Sequence, residues 1–475
     1  MNRKEFNDIR TRRSFLDTCL GGVSSIALAH LMGGEGRSAA LGENALAPRQ
    51  PHFAPKAKNL IFLFMAGAPS QMDLFDPKPG LQKWHGQALP PSMTNDMKLA
   101  FIKPTAKVLA SSRQFTQCGQ SGIEMSDYLP HMQTIADDIC LVRSMQSDQV
   151  NHHPGQSLLM SGSPLSGRPT IGSWLTYGLG SESQDLPGFV VLSSGRGASG
   201  GSTNFSSGFL SSTHAGVPFR KSGDPILYMS NPKGVTQEAQ RMSLDTLRRL
   251  NEENLDLTGD TQIASRIASY ELAFRMQTSA PDLLDFSDES QATLDNYGVQ
   301  QEPTNAYGAN CLLARRLVER GVRVVSLIHA SWDDHTNLDE GLKENCDITD
   351  RPVAALIKDL KERGLLDETL VVWGGEFGRT SLGQLKHLGD KVGRDHHPDG
   401  FSMWLAGGGI KGGQVIGTTD DLALKAVEDP VHIHDLQATI LHTMGLDHER
   451  LTYRHMGRDF RLTDIAGNVV TKMLA

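Results

Sequence analysis

Apolar runs that end abruptly in polar residues recur along the chain, and they predict the buried strands of one sheet. A short continuous apolar run bounded by polar or turn residues is typical of a strand covered on both faces, as in a parallel sheet. Apart from the stretch that begins at residue 322, the predicted strands are 59–65, 139–144, 189–192, 369–373 and 402–405.

The stretch at 322–337 carries the clearest of these patterns. Its first half is rich in β-branched residues, and Trp332, Asp333, Asp334 and His335 follow directly. In open α/β sheets, ligands bind beyond the carboxyl ends of the strands. Two carboxylates and an imidazole at such an edge therefore indicate a metal or acid–base site.

Helical patterns lie between the predicted strands. Residues 306–320 and 351–363 predict helices, the second with apolar side chains at helical spacing up to Gly364. From about 236 to 300 the pattern is also helical, which predicts a helical insertion. The fold class that follows is α/β, with a mainly parallel central sheet flanked by helices, in a single domain over residues 41–475.

Composition narrows the class of partner. The 475 residues are 39% hydrophobic and 21% charged, which describes an ordinary soluble protein with a large core. The net charge is −8 and no basic block is present, so we expect no nucleic-acid partner. Five cysteines lack the CxxC spacing of a zinc ribbon or redox pair. The four beyond Cys19 could be free thiols or two disulfides.

Residues 1–40 predict an export signal. The segment TRRSFL at 11–16 has the twin-arginine pattern, and a modestly apolar stretch at 19–32 follows it. That stretch is too short and too Gly-rich for a membrane span, and Ser-Ala-Ala at 38–40 offers a cleavage site. The pattern predicts a Tat signal peptide, the Tat export machinery as a partner, and a periplasmic or otherwise exported protein without a stable membrane span.

Candidate site residues also follow strands in the first half of the chain. Ser70 lies in the loop after 59–65, close to Asp73, which is either a site residue or a helix cap. His152 and His153 follow the strand at 139–144 and begin a predicted helix. Histidines there can bind a metal, or one can simply cap the helix. We expect at least one functional histidine in this pair.

The second half adds a carboxylate, a guanidinium and two imidazoles. Glu376 follows the strand at 369–373 among three glycines, where it can approach a ligand closely, and Arg379 stands near for an anionic group. A salt bridge between these two residues is the alternative. His396 and His397 precede the strand at 402–405.

Asp333, His335, Glu376, His396 and His397 thus lie at or just beyond successive strand ends. Oxygen and imidazole ligands in this mixture suit a divalent metal, with zinc the first choice and manganese or calcium as alternatives. Each signal alone also fits a salt bridge or a surface pair, and their conjunction favours one shared site. One or two ions would satisfy the pattern.

Several segments in a fixed order are similar to the signature segments of one known family. They are GAPS at 67–70 with DLFDPKP at 73–79, WDDH at 332–335, GEFGRT at 375–380 and GRDH at 393–396. From about residue 50 onward the chain resembles domain-of-unknown-function family 1501 (DUF1501), which is Tat-exported in many bacteria. That family is grouped with the alkaline phosphatase and sulfatase superfamily, so the resemblance implies an alkaline phosphatase-like fold.

The resemblance implies roles for particular residues. Asp333 and His335 resemble the Asp and His that bind one metal in phosphatases, and His396 resembles their later partner. Glu376 stands where a metal-ligating Asp is expected, and Phe377 replaces a ligand His.

The chain departs from the superfamily pattern around the nucleophile. The first predicted strand ends without its expected metal-binding Asp, and His152 or His153 stands where Cys, Ser or Thr is expected. No Cys-x-Pro-x-Arg segment exists to yield formylglycine, which argues against the usual sulfatase chemistry. A serine nucleophile would have to be Ser70, from a different segment.

These observations predict an exported metal-dependent hydrolase that cleaves the phosphate or sulfate ester of an anionic small molecule or polysaccharide. Metal-activated water is the expected nucleophile. Arg379 would stabilise developing negative charge, and His153 would lie near the metal or bind a second ion. The alternative is a non-catalytic protein that binds a ligand or partner on a degenerate fold of this type.

Overall fold

The structure is a computed structural model that describes residues 46–94, 97–220, 231, 234–258, 261–385 and 391–475. The predicted signal peptide at 1–40 lies outside these residues. Within the described ranges, no helix has the length and apolar character needed to cross a membrane.

A central sheet runs through the protein. The described strands in chain order are β1 (Asn59–Ala66), β2 (Phe115–Cys118), β3 (Ile123–Ser126), β4 (Ile139–Gln146), β5 (Phe189–Gly195), β6 (Val217–Pro218), β7 (Val324–Ala330), β8 (Thr369–Gly374), β9 (Gly378–Gln384), β10 (Gly393–His397), β11 (Phe401–Ala406), β12 (Gln414–Ile416), β13 (Thr418–Thr419), β14 (Ala426–Glu428), β15 (Val431–His432), β16 (Tyr453–His455) and β17 (Arg458–Phe460). Nine of them form this sheet in the order β12-β4-β11-β8-β1-β7-β5-β6, with β15 beside β4.

The sheet is mostly parallel, as the sequence predicts. Strand β1 pairs in parallel with β7 on one side and β8 on the other, and β5 pairs in parallel with β7. Strand β11 is antiparallel to both of its neighbours, β4 and β8. The chain passes from β8 to β11 through the small β9–β10 sheet, without the crossover helix that a parallel neighbour needs.

Helices cover both faces of this sheet. They are α1 (Gln71–Leu74), α2 (Pro91–Thr94), α3 (His152–Ser161), α4 (Ile171–Leu179), α5 (Gln237–Thr258), α6 (Thr261–Leu284), α7 (Gln291–Tyr297), α8 (Asn305–Glu319), α9 (Leu338–Glu362) and α10 (Ile433–Thr443). Short 3₁₀ helices span Pro79–Trp84, Met132–Asp138, Gly201–Phe205, Ser212–His214, Leu366–Glu368 and Thr471–Met473.

Two hydrophobic cores flank the sheet, one on each face. Leu63 and Met65 of β1 belong to the core that α8 and α9 complete. Phe62 and Phe64 point to the opposite face and pack in the core with α3, α4 and α10. Because both faces are covered, β1 reads in the sequence as one continuous apolar run. All four cysteines in the described part of the chain are buried free thiols.

Helices α5 and α6 account for most of the helical insertion predicted at 236–300. Arg241 of α5 forms an ion pair with Glu271 of α6, 2.7 Å between Nη2 and Oε1, and also bonds Asp245 in its own helix. Leu255 is the buried side chain of α5, and Met242 and Leu250 are exposed.

A buried ion pair fastens the segment after β1 to β10. Arg394 donates from Nε to Oδ2 of Asp73 at 2.8 Å, and from Nη2 to Oδ1 at 3.2 Å. Both side chains are almost fully removed from water. Burial alone would raise the pKa of Asp73, but the charge and hydrogen bonds of Arg394 lower it.

We expect Asp73→Ala to lower the free energy of unfolding by about 3–5 kcal/mol, because it leaves the buried Arg394 guanidinium without its counter-charge. Denaturant unfolding measures this loss. Asp347→Ala is the control, since Asp347 pairs with Lys343 on an exposed helix surface. That change should cost less than about 1 kcal/mol. Equal losses in the two variants would contradict the prediction.

Candidate metal centre

Four side chains meet at the carboxyl edge of the sheet. His152 is the first residue of α3, Asp333 and His335 follow β7, and His396 lies in β10. Each offers one ligand atom, and these four atoms all lie within 4.8 Å of one another. The sheet brings them together because β7 is central and the segments after β4 and β8 reach the same edge.

A single carboxylate oxygen forms the middle of the cluster. Oδ1 of Asp333 lies 3.1 Å from Nε2 of His152, 2.9 Å from Nε2 of His335 and 3.3 Å from Nε2 of His396. Nη2 of Arg379 donates to the same oxygen at 2.7 Å. Burial would raise the pKa of Asp333, but the three imidazoles and Arg379 hold it well below its usual range.

Each of the three imidazoles also contacts an oxygen acceptor through Nδ1, its other ring nitrogen. The acceptors facing Nδ1 of His152, His335 and His396 are, respectively, Oε1 of Glu376 at 2.7 Å, Oε1 of Gln384 at 2.5 Å and the carbonyl oxygen of Val150 at 2.6 Å. An oxygen acceptor at Nδ1 keeps the proton there, so the lone pair of Nε2 points toward Asp333. Metal-binding histidines have this arrangement, which fixes the tautomer and raises the basicity of the ligand nitrogen.

The cluster therefore fits a divalent cation. Three imidazole lone pairs and a carboxylate oxygen are an electron-rich set that a positive charge would hold together, and zinc accepts four such ligands. Nε2 of His152 is buried and lies 3.1 Å from Oδ1 of Asp333, but this contact is not aligned as a hydrogen bond. A buried ring nitrogen in that position fits a ligand of a cation.

The imidazoles differ in their affinity for a proton. Burial would lower the pKa of His152, but the carboxylates of Asp333 and Glu376 beside its two ring nitrogens raise it to about 9. The pKa of His396 is lowered to about 4, first by burial and then by the nearby positive charges of Arg379 and His152. One proton on His152 can thus occupy the cluster in place of a cation.

Glu376 lies behind the cluster. Its side chain is fully buried and accepts hydrogen bonds from the Gly67 backbone at 3.2 Å and from Nε2 of Gln156 at 3.0 Å, besides its contact with His152. The structure does not bring it into the group of ligand atoms predicted from the sequence. It orients His152, and no salt bridge joins it to Arg379 among the described residues.

Arg379 is enclosed by main-chain oxygens. Nε donates to the carbonyl of Ala68 at 2.9 Å, and Nη2 donates to Gly67, to Trp332 at 3.1 Å and to Asp333. The side chain is fully buried. The structure therefore places this residue as a tie between Asp333 and the turn after β1.

Three other predicted site residues lie outside the cluster. Oγ of Ser70 donates to Oδ2 of Asp73 at 2.5 Å, and so takes part in the buried ion pair with Arg394. His153 is exposed on α3 beside His152. His397 follows His396 along β10 and so points the other way, with Nε2 2.8 Å from the carbonyl of Leu424. Of each histidine pair, one member enters the cluster.

Aromatic residues enclose the imidazoles. Phe377 stacks on His152 at 5.2 Å between ring centroids and lies 4.7 Å from His396. Phe101 meets His335 edge-on at 5.4 Å, on a loop whose backbone N–H groups bond Asp395. The sequence gives no sign of the roles of Phe101 and of the glutamines at 156 and 384. A single residue that does not follow a predicted strand does not show what it contacts.

A cavity of about 840 Å³ opens beside the cluster, lined among others by His152, Asp333 and His335. Asp334 lines it too, between two residues of the cluster, and burial raises the pKa of this carboxyl to about 7. The exposed Arg196 also lines the cavity. The cluster is therefore open to a ligand of considerable size.

We expect His152→Ala to weaken zinc binding by more than about 100-fold, whereas Glu376→Gln should weaken it by about 10–100-fold because it alters only the residue behind the ligand. Titration of the purified protein with zinc against a competing chelator measures both. His153→Ala is the matched control on the same helix turn and should bind zinc like the unaltered protein. Equal effects at 152 and 153 would contradict the assignment.

Comparisons with solved structures give distant likenesses. The PsFucS1 sulfatase from Pseudoalteromonas sp. is 13% identical with a TM-score of 0.38, over 90% of this chain and 72% of that one. The lipoteichoic acid synthase LtaP from Listeria monocytogenes is 10% identical with a TM-score of 0.35, over 88% and 78%. A protein in the alkaline phosphatase superfamily from Vibrio parahaemolyticus is 10% identical with a TM-score of 0.33, over 89% and 74%. With TM-scores and identities this low, the activities of these proteins are not assigned to this chain.

No curated protein matches the chain. A family model described as a protein of unknown function, DUF1501, matches residues 57–474. The matched region contains every strand of the central sheet, the helices that cover it and all four residues of the cluster. The chain therefore belongs to the DUF1501 family.

Proposed function

We propose that the protein is a metal-dependent hydrolase that cleaves phosphate or sulfate esters beside His152, Asp333, His335 and His396. One observation carries the proposal. Three imidazole Nε2 atoms and a carboxylate oxygen converge, each imidazole is fixed from behind by an acceptor at Nδ1, and the group opens into a large cavity.

The donor set favours zinc. Three nitrogen ligands and one oxygen ligand suit zinc better than calcium, which prefers oxygen ligands alone, and manganese is the remaining alternative. A divalent ion held there by four protein ligands would need a fifth position for water. It would lower the pKa of that water to near neutrality and polarise the ester oxygen. The contribution of the protein is to hold Asp333 through Arg379 and to hold His152 through Glu376.

The cavity favours an anionic ester of a small molecule or of a polysaccharide. Its volume of about 840 Å³ lies within the range of ligand-binding clefts. Arg196 lies on its wall with an exposed side chain, so this guanidinium can contact a phosphate or sulfate group. It takes the role that the sequence assigns to Arg379.

The alternative is a protein that binds an anionic ligand without turning it over. The burial of Arg379 favours this alternative, because its donors face main-chain oxygens and Asp333 and cannot meet charge that develops on a substrate. A binding protein would still hold the metal and the ligand, but no ester would be cleaved.

Hydrolysis of 4-nitrophenyl phosphate and 4-nitrophenyl sulfate by the zinc-loaded protein tests the proposal. We expect turnover of at least one of them, loss of that turnover with EDTA, and recovery with zinc. Asp333→Ala and His396→Ala should each lower kcat/KM by at least about 100-fold, because several kcal/mol of transition-state stabilisation depend on the ion.

Asp347→Ala is the control, since it removes an exposed carboxylate from the helix surface. It should leave both metal content and turnover unchanged. Less than about half an ion per chain in every preparation would overturn the metal centre. A bound ion without turnover of any ester would support the binding protein instead.

We also propose that the chain is exported through the Tat pathway to the periplasm, on the basis of the twin-arginine segment at 11–16. Replacing both Arg12 and Arg13 with Lys should leave most of the protein in the cytoplasm as an uncleaved precursor. Cell fractionation measures this. Arg3→Lys, outside the segment, should be exported normally; export of the double variant at the normal rate would contradict the proposal.

A further inference from the structure

A second polar group lines the same cavity and shares no residue with the metal centre. Ser194 and His329 are the next-to-last residues of β5 and β7, and they are direct neighbours across the parallel pair, so both side chains leave the same face of the sheet. Asn345 of α9 lies above that face. All three residues line the cavity.

The hydrogen bonds fix the direction of each donor. Nδ2 of Asn345 donates to the carbonyl oxygens of Ser331 at 3.2 Å and Gly341 at 2.8 Å, so its Oδ1 must be an acceptor. That Oδ1 lies 3.1 Å from Nε2 of His329, which therefore carries the proton. Nδ1 of His329 is left with a lone pair, and Oγ of Ser194 donates to it at 2.8 Å.

A hydroxyl bonded to an unprotonated imidazole nitrogen, with the far N–H held by a fixed acceptor, is the arrangement that activates a serine nucleophile. Burial keeps the arrangement rigid, since Ser194, His329 and Asn345 are each at most 5% exposed. The ring of Tyr307 packs edge-on against His329, 5.3 Å between centroids. A network with only a structural role would form the same hydrogen bonds, but it would not need to line a cavity.

We propose that Ser194 is the nucleophile of a second activity, the metal-independent hydrolysis of carboxylic esters. Oγ of Ser194 bonds to the carbonyl carbon while its proton passes to Nδ1 of His329. The bond from carbon to the alcohol oxygen then breaks, and the alcohol leaves with that proton. Water reverses these steps: it gives a proton to Nδ1, bonds to the acyl carbon, and releases the acid as Oγ recovers the proton.

The charge that forms during this attack has a candidate partner. Attack on a carbonyl places negative charge on its oxygen, which needs a donor or a cation nearby. Arg196 follows Ser194 by two residues and lines the cavity with an exposed side chain. Asn345 is a positioning residue, because it touches His329 and holds the imidazole in the tautomer that accepts the serine proton.

A fluorophosphonate probe tests the nucleophile in the full chain treated with EDTA. Attack by Oγ expels fluoride and leaves a stable phosphonyl adduct, and peptide mass mapping should place that adduct on Ser194. The same protein should hydrolyse 4-nitrophenyl acetate. Ser194→Ala should lower both rates by at least about 100-fold, within the range that a general base and its nucleophile contribute.

Ser193→Ala is the matched control, since Ser193 is the exposed neighbour on the same strand and should leave both rates unchanged. His329→Ala should slow labelling of Ser194 by at least about 100-fold, and added imidazole should restore part of that rate. A structural histidine would give no such rescue. Absence of an adduct on Ser194, or labelling that is indifferent to His329, would overturn the inference.

The two proposals fail separately. Asp333→Ala and EDTA should abolish phosphate or sulfate ester hydrolysis and leave both the labelling of Ser194 and the hydrolysis of 4-nitrophenyl acetate intact. Labelling of Ser194 in a protein that binds no metal would retain this inference and reject the metal-dependent hydrolase. Metal-dependent ester turnover without reaction at Ser194 would retain the metal-dependent hydrolase and reject this inference.

Discussion

One carboxylate oxygen, Oδ1 of Asp333, is the point on which the candidate site depends. Three imidazole nitrogens and a guanidinium nitrogen lie within 3.3 Å of it. The segments that supply them are far apart in the chain, from the start of α3 to β10. Their positions relative to one another are set by the sheet, since β7 and β8 both pair with β1. Asp333 in turn is held by Arg379, which also donates to the turn after β1 and to the main-chain oxygens of Trp332 and Arg394.

The groups behind the imidazoles decide what this cluster can bind. With acceptors at all three Nδ1 atoms, the Nε2 atoms present lone pairs to a carboxylate, and a positive charge among them would stabilise the set. A proton on His152 provides one such charge, and its pKa of about 9 reflects that pull. A divalent cation provides a stronger one. Because metal binding requires neutral imidazoles, protons and metal compete for the cluster.

The two proposed activities would share one cavity. The residues that line it include His152, Asp333 and His335 of the cluster, and also Ser194, His329 and Asn345. The cluster suits charged esters that a cation can neutralise, and the Ser194 group suits neutral carbonyl carbons that a hydroxyl can attack. A polymer that carries both anionic and acyl ester groups is a substrate class that both sites could share.

The sequence was sufficient for six of the nine strands of the central sheet. Continuous apolar runs predicted β1, β4, β5, β7, β8 and β11, because strands covered on both faces leave this pattern in any chain. The one antiparallel strand, β11, was not distinguishable, since parallel and antiparallel buried strands have the same composition. The helical insertion was also predictable from spacing alone, while its packing was not.

For the site, the sequence predicted ligands at or just beyond strand ends. Asp333 and His335 do follow β7, whereas His396 lies within β10. Their role as metal ligands stays a prediction. Only the tertiary structure decided between His152 and His153 and between His396 and His397, because neighbouring residues differ in direction and not in type. It also moved Glu376 and Arg379 behind the cluster, since both are buried against the turn after β1. No pattern in the sequence connects Ser194, His329 and Asn345. Their contacts depend on the register between two strands and on the helix that covers them, and sequence spacing shows neither. The sequence thus shows which residues could carry chemistry, whereas long-range packing decides which of them meet.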